Sequence, residues 1–414
     1  MQQYISFSSN TISYLNSKER SLLTHLLNIP IANIKQIEKN GLIDYNALKS
    51  ISQIDDPTLM EIANISKKLK VDYNMIISES FIKDTIVDWL FNFKKENQSL
   101  CQYVENKLNG SIKQYRFAFP IYDARYFEGK LKKNITKDVT FETQSHPQFE
   151  RLLYGNCSIS KETIFACTTE IGELEIAKEV AFDRCSFAVD IFKTCSELSR
   201  NPVIKEWAFE LNKGELQNDV YVYICWNIDD PETDKRTVNF SRRRMPATID
   251  DKILNHTYQI DSFIQLYNDY YSESSNSLCN VLKNAIHKYS NAVSTIDIYE
   301  RVVLFCSILD MLVLDKNKKG IIVNLKKYIP ILIENEVDKR QELSDFISKM
   351  YKVRSEYIHH AERIRVNWED VYFLGFIVFT LMCKLLSIRN QFENLDEVYS
   401  DVEKQMNSII YKTN

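Results

Sequence analysis

The chain has 414 residues, of which 44 % are hydrophobic and 26 % charged, with a formal net charge of -4. This is the balance of a globular protein with room for two or three domains, and it excludes a whole-chain nucleic-acid coat. Only eight Gly and eight Pro are present, which favours long helices over turn-rich β architecture and leaves neither G-x-G-x-x-G nor G-x-x-x-x-G-K-[ST] to cradle a phosphate.

Taken in chain order, residues 1–110 read as helical. Ser17-Lys18-Glu19-Arg20 before Leu22, Leu23, Leu26 and Leu27 resembles a helix start. Asp56-Pro57 opens a second helix, and a third runs from about Tyr73 to Phe93. Alternation in Tyr115–Ile121, Val139–Thr143 and Thr163–Thr169 predicts strands, followed by a helical pattern from Glu170 to about Ser196. Val220–Trp226 and Thr237–Phe240 read as further strands, so residues 111–258 form a mixed α/β module suited to sensing or regulation. From 259 to 414 the chain reads as an antiparallel helical bundle, with helices at 261–273, 276–289, 293–314, 322–334, 338–358, 367–390 and 394–411. The fold class is therefore α+β and mainly helical: an N-terminal helical region, the mixed module, then the bundle.

Nine cysteines, an odd number, lie scattered with no C-x-x-C and no Cys/His zinc spacing. They read as small core residues in a reducing compartment, so a cytoplasmic protein without metal or cofactor is expected. The N-terminus carries neither the basic start nor the apolar stretch of a secretion signal. The apolar run Val371–Cys383 is about 13 residues, short of the ~20 a membrane span needs, and reads as a buried bundle helix with no membrane role.

One segment carries chemistry: Tyr351-Lys352-Val353-Arg354-Ser355-Glu356-Tyr357-Ile358-His359-His360, in a chain with six histidines. Arg354 falls late in the predicted 338–358 helix and the histidines where it ends. An arginine and a neutral imidazole suffice for metal-free phosphodiester chemistry. The guanidinium stabilises phosphoryl oxygens while the imidazole moves a proton near neutral pH. Structural roles stand beside this: Arg354 in a salt bridge to Glu356, Glu300 or Asp310, His359 capping helix carbonyls, and Ser355 bonded to the backbone. His360 reads as supporting or exposed, and Asp310 either orients the arginine or marks a polar helix edge.

The C-terminal part, about residues 290–390, resembles a HEPN domain, and more narrowly the ApeA-like HEPN proteins. The family carries R-x(4–6)-H between the last two long helices of a small bundle, and Tyr351 to His359 is similar to its ApeA-like form. Ile308-Leu309-Asp310-Met311-Leu312 is similar to the A-L-E-x-L of an earlier helix, with Asp for Glu. The sequence departs from the family where a glycine usually follows the histidine; here His360 stands there. The resemblance implies a metal-independent endoribonuclease effector of a prokaryotic defence or toxin-type system, working as a homodimer through the bundle. Arg354 and His359 would be catalytic, with Ser355, His360 and Asp310 supporting, and a protein or phage-derived trigger would act through the other modules. RNA is the implied substrate, with a tRNA anticodon loop as an example of a suitable exposed single strand. The other reading is a non-catalytic HEPN module for dimerisation or RNA binding. Lys316, Lys318, Lys319, Lys326 and Lys327, and separately Arg242-Arg243-Arg244, are basic enough to contact an RNA backbone, although a solvated surface explains them as well.

Overall fold

The computed structural model describes residues 6–26, 56–72, 76–96, 98–143, 162–196, 224–227, 235–237, 247–272, 275–295, 297–313 and 320–412. It is mainly helical with a small, largely antiparallel sheet. The chain divides into two compact units, one of Met1–Phe117, Thr169–Phe182 and Cys225–Arg236, the other of Ala118–Thr168, Asp183–Ile224 and Thr237–Asn414. The sequence-defined module 111–258 is thus shared between the two.

In the first unit, helices α1 (Ser9–Leu26), α2 (Asp56–Asp72), α3 (Glu79–Glu96) and α4 (Leu100–Ser111) enclose a core that includes Leu15, Ile65, Leu69, Ile86, Trp89 and Val104. The expected start of α1 at Ser17 is corrected. Ser8 is the cap, its hydroxyl accepting from the Thr11 N–H at 3.1 Å, whereas Ser17 donates back to the Tyr14 carbonyl at 2.7 Å from inside the helix. The third helix starts at Glu79, where Ser78 accepts from the Phe81 N–H at 3.1 Å; the expected start near Tyr73 lies outside the described residues.

The second unit contains β2 (Lys132–Asn134) and β3 (Thr140–Glu142), which follow β1 (Lys113–Arg125) and precede β4 (Thr163–Gly172). β2 pairs with β3, and β3 with β4, all antiparallel, with Phe141 opposite Ala166. Helix α5 (Leu174–Cys195) lays Phe192 edge-on against Phe141 of the sheet, centroids 5.5 Å apart. β5 (Ile224–Asn227) falls on the predicted strand Val220–Trp226 and β6 (Lys235–Thr237) meets the predicted Thr237–Phe240 at Thr237, while 220–223 and 238–240 lie outside the described residues. β7 (Ala247–Thr248), which the sequence reading did not include, runs parallel to the end of β1.

The helical region is α6 (Asp251–Asn255), α7 (Ile260–Tyr270), α8 (Ser277–Ser294), α9 (Ile298–Val313), α10 (Ile321–Ile333), α11 (Val337–His360), α12 (Trp368–Ile388) and α13 (Leu395–Lys412). Polar residues before the apolar stretches set the starts. Asn276 accepts from the Cys279 N–H, Asp297 from those of Tyr299 and Glu300, and Asn367 from that of Asp370. Helix α9 packs against α8, α10, α11 and α12 and buries Val302, Phe305, Cys306, Ile308, Leu309 and Leu312. Two buried arginines tie the ends together. Arg301 donates to the carbonyls of Val293 and Thr295 at the end of α8. Arg389 joins Asp269 at 2.7 Å to the Leu386 carbonyl. Cys101, Cys167, Cys185, Cys195, Cys279 and Cys306 are free and buried, and Cys383 is free and half-buried.

Helix α12 extends the apolar run beyond the 13 residues read from sequence. The stretch from Trp368 to Gln391 is long and apolar enough to cross a membrane, yet 56 % of its most apolar 18 residues are buried, and the helix packs against α7, α9 and α10. Gly375 makes that packing close, because an added Cβ would stand 3.0 Å from Cζ of Phe305. Phe305 is itself 3 % exposed and packed against Tyr289, so it has little room to yield. Alanine would add up to about 1 kcal/mol of helix propensity, and overpacking costs about 1–3 kcal/mol. Gly375→Ala is therefore expected to lower thermal stability by a few degrees, measured by circular dichroism.

Candidate functional site

Arg354 projects from the penultimate turns of α11 towards α9. Of the three carboxylates proposed as its partner, Asp310 is the one it meets, with Nη2 4.0 Å from Oδ2. That is an ion pair at its outer limit and too long for a hydrogen bond. The guanidinium also lies 5.7 Å from the Tyr351 ring centroid. Arg354 Nε, Asp310 Oδ1 and the Tyr351 hydroxyl are all buried without a hydrogen-bond partner. A buried polar group left unpaired costs about 1–3 kcal/mol, so this cluster holds hydrogen-bonding capacity in reserve.

Burial pushes the Asp310 carboxyl up to about 6, against the opposing pull of Arg354 and Lys288. Lys288 of α8 is a member of the cluster that no sequence motif revealed. Its ammonium donates to Ser307 Oγ at 3.0 Å and adds positive charge beside Asp310. Buried Cys306, on the same helix, has its thiol pushed up by burial and by the Asp310 charge.

Helix α11 runs two residues further than its sequence pattern suggested, and both histidines lie in its last turn, exposed. From Arg354, His359 is about 140° round the helix and His360 about 120° the other way, with rises of about 7.5 and 9 Å. Neither imidazole makes a described hydrogen bond or ring contact with Arg354; the two rings lie 6.5 Å from one another. A single copy therefore presents the arginine and the imidazoles on different sides of one helix. Ser355 is half-buried on the flank shared with His359.

The helix stops at Ala361, which takes left-handed angles of φ 55° and ψ 22°. The N–H groups of Ala361 and Glu362 both return to the Glu356 carbonyl, a Schellman-type ending that normally uses glycine. The turn that glycine provides in the family is thus made here by an alanine, and it follows His360 rather than His359.

Of the basic residues proposed for RNA, Lys326 and Lys327 are the described ones, and neither has a described contact with Arg354. Lys327 is engaged by Glu403 at 3.0 Å, an interaction that raises its pKa. Lys326, on the same helix, is half-buried with no described contact to Arg354. Lys316, Lys318, Lys319 and Arg242-Arg243-Arg244 lie outside the described residues. Elsewhere, His287 Nδ1 meets Asp190 Oδ2 at 2.8 Å and its Nε2 meets the Asn291 amide at 3.3 Å, a link between α5 and α8 that the sequence did not announce. Among the described residues, no group of three or more His, Cys, Asp or Glu is placed to hold a metal ion.

Comparison with known proteins finds no matching family model, no matching curated protein and no matching solved structure. The HEPN resemblance rests on its motif residues alone.

Two stability measurements check this geometry. Asp310 is raised in the folded chain from an ordinary 3.8 to about 6, so folding favours its protonated form. The destabilisation it causes is absent below about pH 4, grows between the two values and is complete above about 6. After discounting for partial exposure, Asp310→Asn is expected to stabilise by about 1–2 kcal/mol at pH 7.5 and to do nothing near pH 4, by urea unfolding. Ala361→Gly is expected to add about 0.5–1 kcal/mol at every pH in the same assay, by removing the left-handed strain.

Proposed function

We propose that the chain is a metal-independent endoribonuclease of HEPN type whose site is completed by two copies of the helical region. The observation that carries this reading is the state of Arg354. Its guanidinium is held beside Asp310 and Tyr351 with donors unspent, and both imidazoles stand exposed at the end of the same helix. By contrast, buried Arg301 gives its donors to the backbone carbonyls of Val293 and Thr295.

In the proposed reaction the imidazole takes the 2′-hydroxyl proton of RNA, or protonates the leaving 5′-oxygen. Arg354 binds the non-bridging phosphoryl oxygens as charge builds on them. The 2′-oxygen attacks the adjacent phosphorus and the bond to the 5′-oxygen breaks, leaving a 2′,3′-cyclic phosphate and a 5′-hydroxyl. DNA lacks the attacking group and resists. The separation of arginine from imidazole within one copy supports a two-fold arrangement in which each arginine meets the partner's imidazole. The motif spacing favours His359 as proton carrier, while the position of the turn favours His360. The family resemblance favours a defence or toxin-type effector, restrained or triggered through the rest of the chain, and the scattered cysteines favour a cytoplasmic setting.

The same separation favours one other reading, a non-catalytic module that dimerises or binds RNA. A single assay distinguishes the two: total RNA incubated with the full chain in EDTA, with fragment ends mapped. Cleavage leaving cyclic phosphate ends is expected, with a loss of about 100-fold or more in Arg354→Ala. His359→Ala and His360→Ala tested separately identify the proton carrier by which one causes a comparable loss. Undiminished cleavage by Arg354→Ala and by a variant lacking both histidines would remove the nuclease assignment. RNA binding with no change in RNA length would support the non-catalytic module.

A further inference from the structure

Beside the end of α11 lies a group of residues that the arginine–histidine chemistry does not use. Tyr299, in the first turn of α9, and Tyr357, two residues before His359, stack with centroids 5.4 Å apart and planes 19° from parallel. The Arg363 guanidinium lies 5.3 Å from the Tyr299 ring centroid. It is kept there by Asp297, with Nη2 3.7 Å from Oδ2. The other oxygen of Asp297 caps α9 through the N–H groups of Tyr299 and Glu300 at 2.8 and 3.0 Å, so the carboxylate is fixed. Neither tyrosine is a core residue; both are half-buried, and the Arg363 side chain is 62 % exposed. On the helix, Tyr357 stands one turn from Arg354 on one side and one turn from His360 on the other. A flat aromatic and guanidinium surface therefore opens to solvent within a turn of both reactive groups.

We propose that Tyr299, Tyr357 and Arg363 form a nucleobase-stacking subsite that takes one unstacked base of single-stranded RNA next to the phosphate bound by Arg354. This deepens the ribonuclease reading and rests on it. Every base presents a π face, and stacking on an aromatic side chain is worth about 1–3 kcal/mol per base. At 3.7 Å the Arg363–Asp297 contact is an ion pair without a hydrogen bond, so the guanidinium can leave Tyr299 for the upper face of an incoming base at small cost. The fixed Asp297 carboxylate repels a phosphate at this position, which orients the strand with a base over the tyrosines and the backbone towards Arg354. Paired RNA keeps its bases inside the duplex, so the subsite selects loops and single strands.

The test uses the full chain and a short single-stranded oligoribonucleotide with 2-aminopurine at successive positions. With the His359→Ala, His360→Ala double variant, binding is expected to quench the fluorophore strongly at one position flanking the scissile phosphate, and adding Tyr299→Leu should abolish that quench. Leucine preserves apolar packing between α9 and α11 but offers no π face. In the active protein, Tyr299→Leu should raise KM for single-stranded RNA by about 5- to 150-fold, the equivalent of about 1–3 kcal/mol, with a smaller effect on kcat. Tyr299→Phe should restore it. If Tyr299→Leu fails to fold, the exposed Arg363→Ala replaces it, with a rise in KM of several-fold and an unchanged melting temperature. Unaltered quench and KM in these variants, with cleavage intact, would overturn the subsite and leave the ribonuclease reading standing. A wild-type chain that neither cleaves nor binds RNA would overturn both.

Discussion

The helical region depends on the burial of α9. Four helices lean on it, and its apolar faces supply Phe305, Ile308, Leu309 and Leu312 to the interior. Beyond its first turn, α9 confines its polar groups to a half-buried strip that includes Ser307 and Asp310. Lys288 and Arg354 converge on that strip from α8 and α11 because those helices are the ones packed along it. The candidate site is thus a by-product of core packing: the carboxylate is desolvated by the same contacts that hold the helices together, and its charge draws the two cations inward.

The arginines divide by how completely the fold uses them. Arg301 and Arg389 are 2 % and 6 % exposed, and their donors close helix ends or meet Asp269. Burying a guanidinium is tolerable when its protons find acceptors in this way. Arg354 is only partly enclosed, faces a carboxylate at the limit of an ion pair, and keeps Nε unmatched. The same side chain serves in one case as a strut and in the other as an unsaturated charge, and the difference lies in the partners the backbone provides.

Much of this architecture could be read from the chain itself. Apolar periodicity located the bundle helices within a few residues, and alternation found the strands at 113–125, 140–142 and 163–172, because burial on one face leaves a period that needs no tertiary knowledge. Helix starts were harder. Ser17 and Ser8 are chemically equivalent caps, and only the packed helix shows which hydroxyl faces a free N–H. At the site, the Arg354–His359–His360 segment was legible as a string, but spacing could not choose among Glu356, Glu300 and Asp310 as the arginine's partner. Lys288, Tyr299 and Arg363 were invisible for the same reason. Each is an ordinary surface-compatible residue until the folding of α8, α9 and α11 brings it beside the motif.

The ending of α11 has a further consequence. Arg354 is anchored two turns inside the helix between packed neighbours, whereas His359 and His360 ride on a terminal turn closed by an alanine in a left-handed conformation. Helix ends fray first, and a strained stop lowers the cost of doing so. The two halves of the proposed chemistry therefore differ in setting: a positive charge carried on the packed body of the helix, and imidazoles carried on its last turn. Whatever settles against that turn, whether a second chain or a strand of nucleic acid, would set the distance between them, so the reactive geometry would be acquired on assembly instead of being carried by the solitary chain.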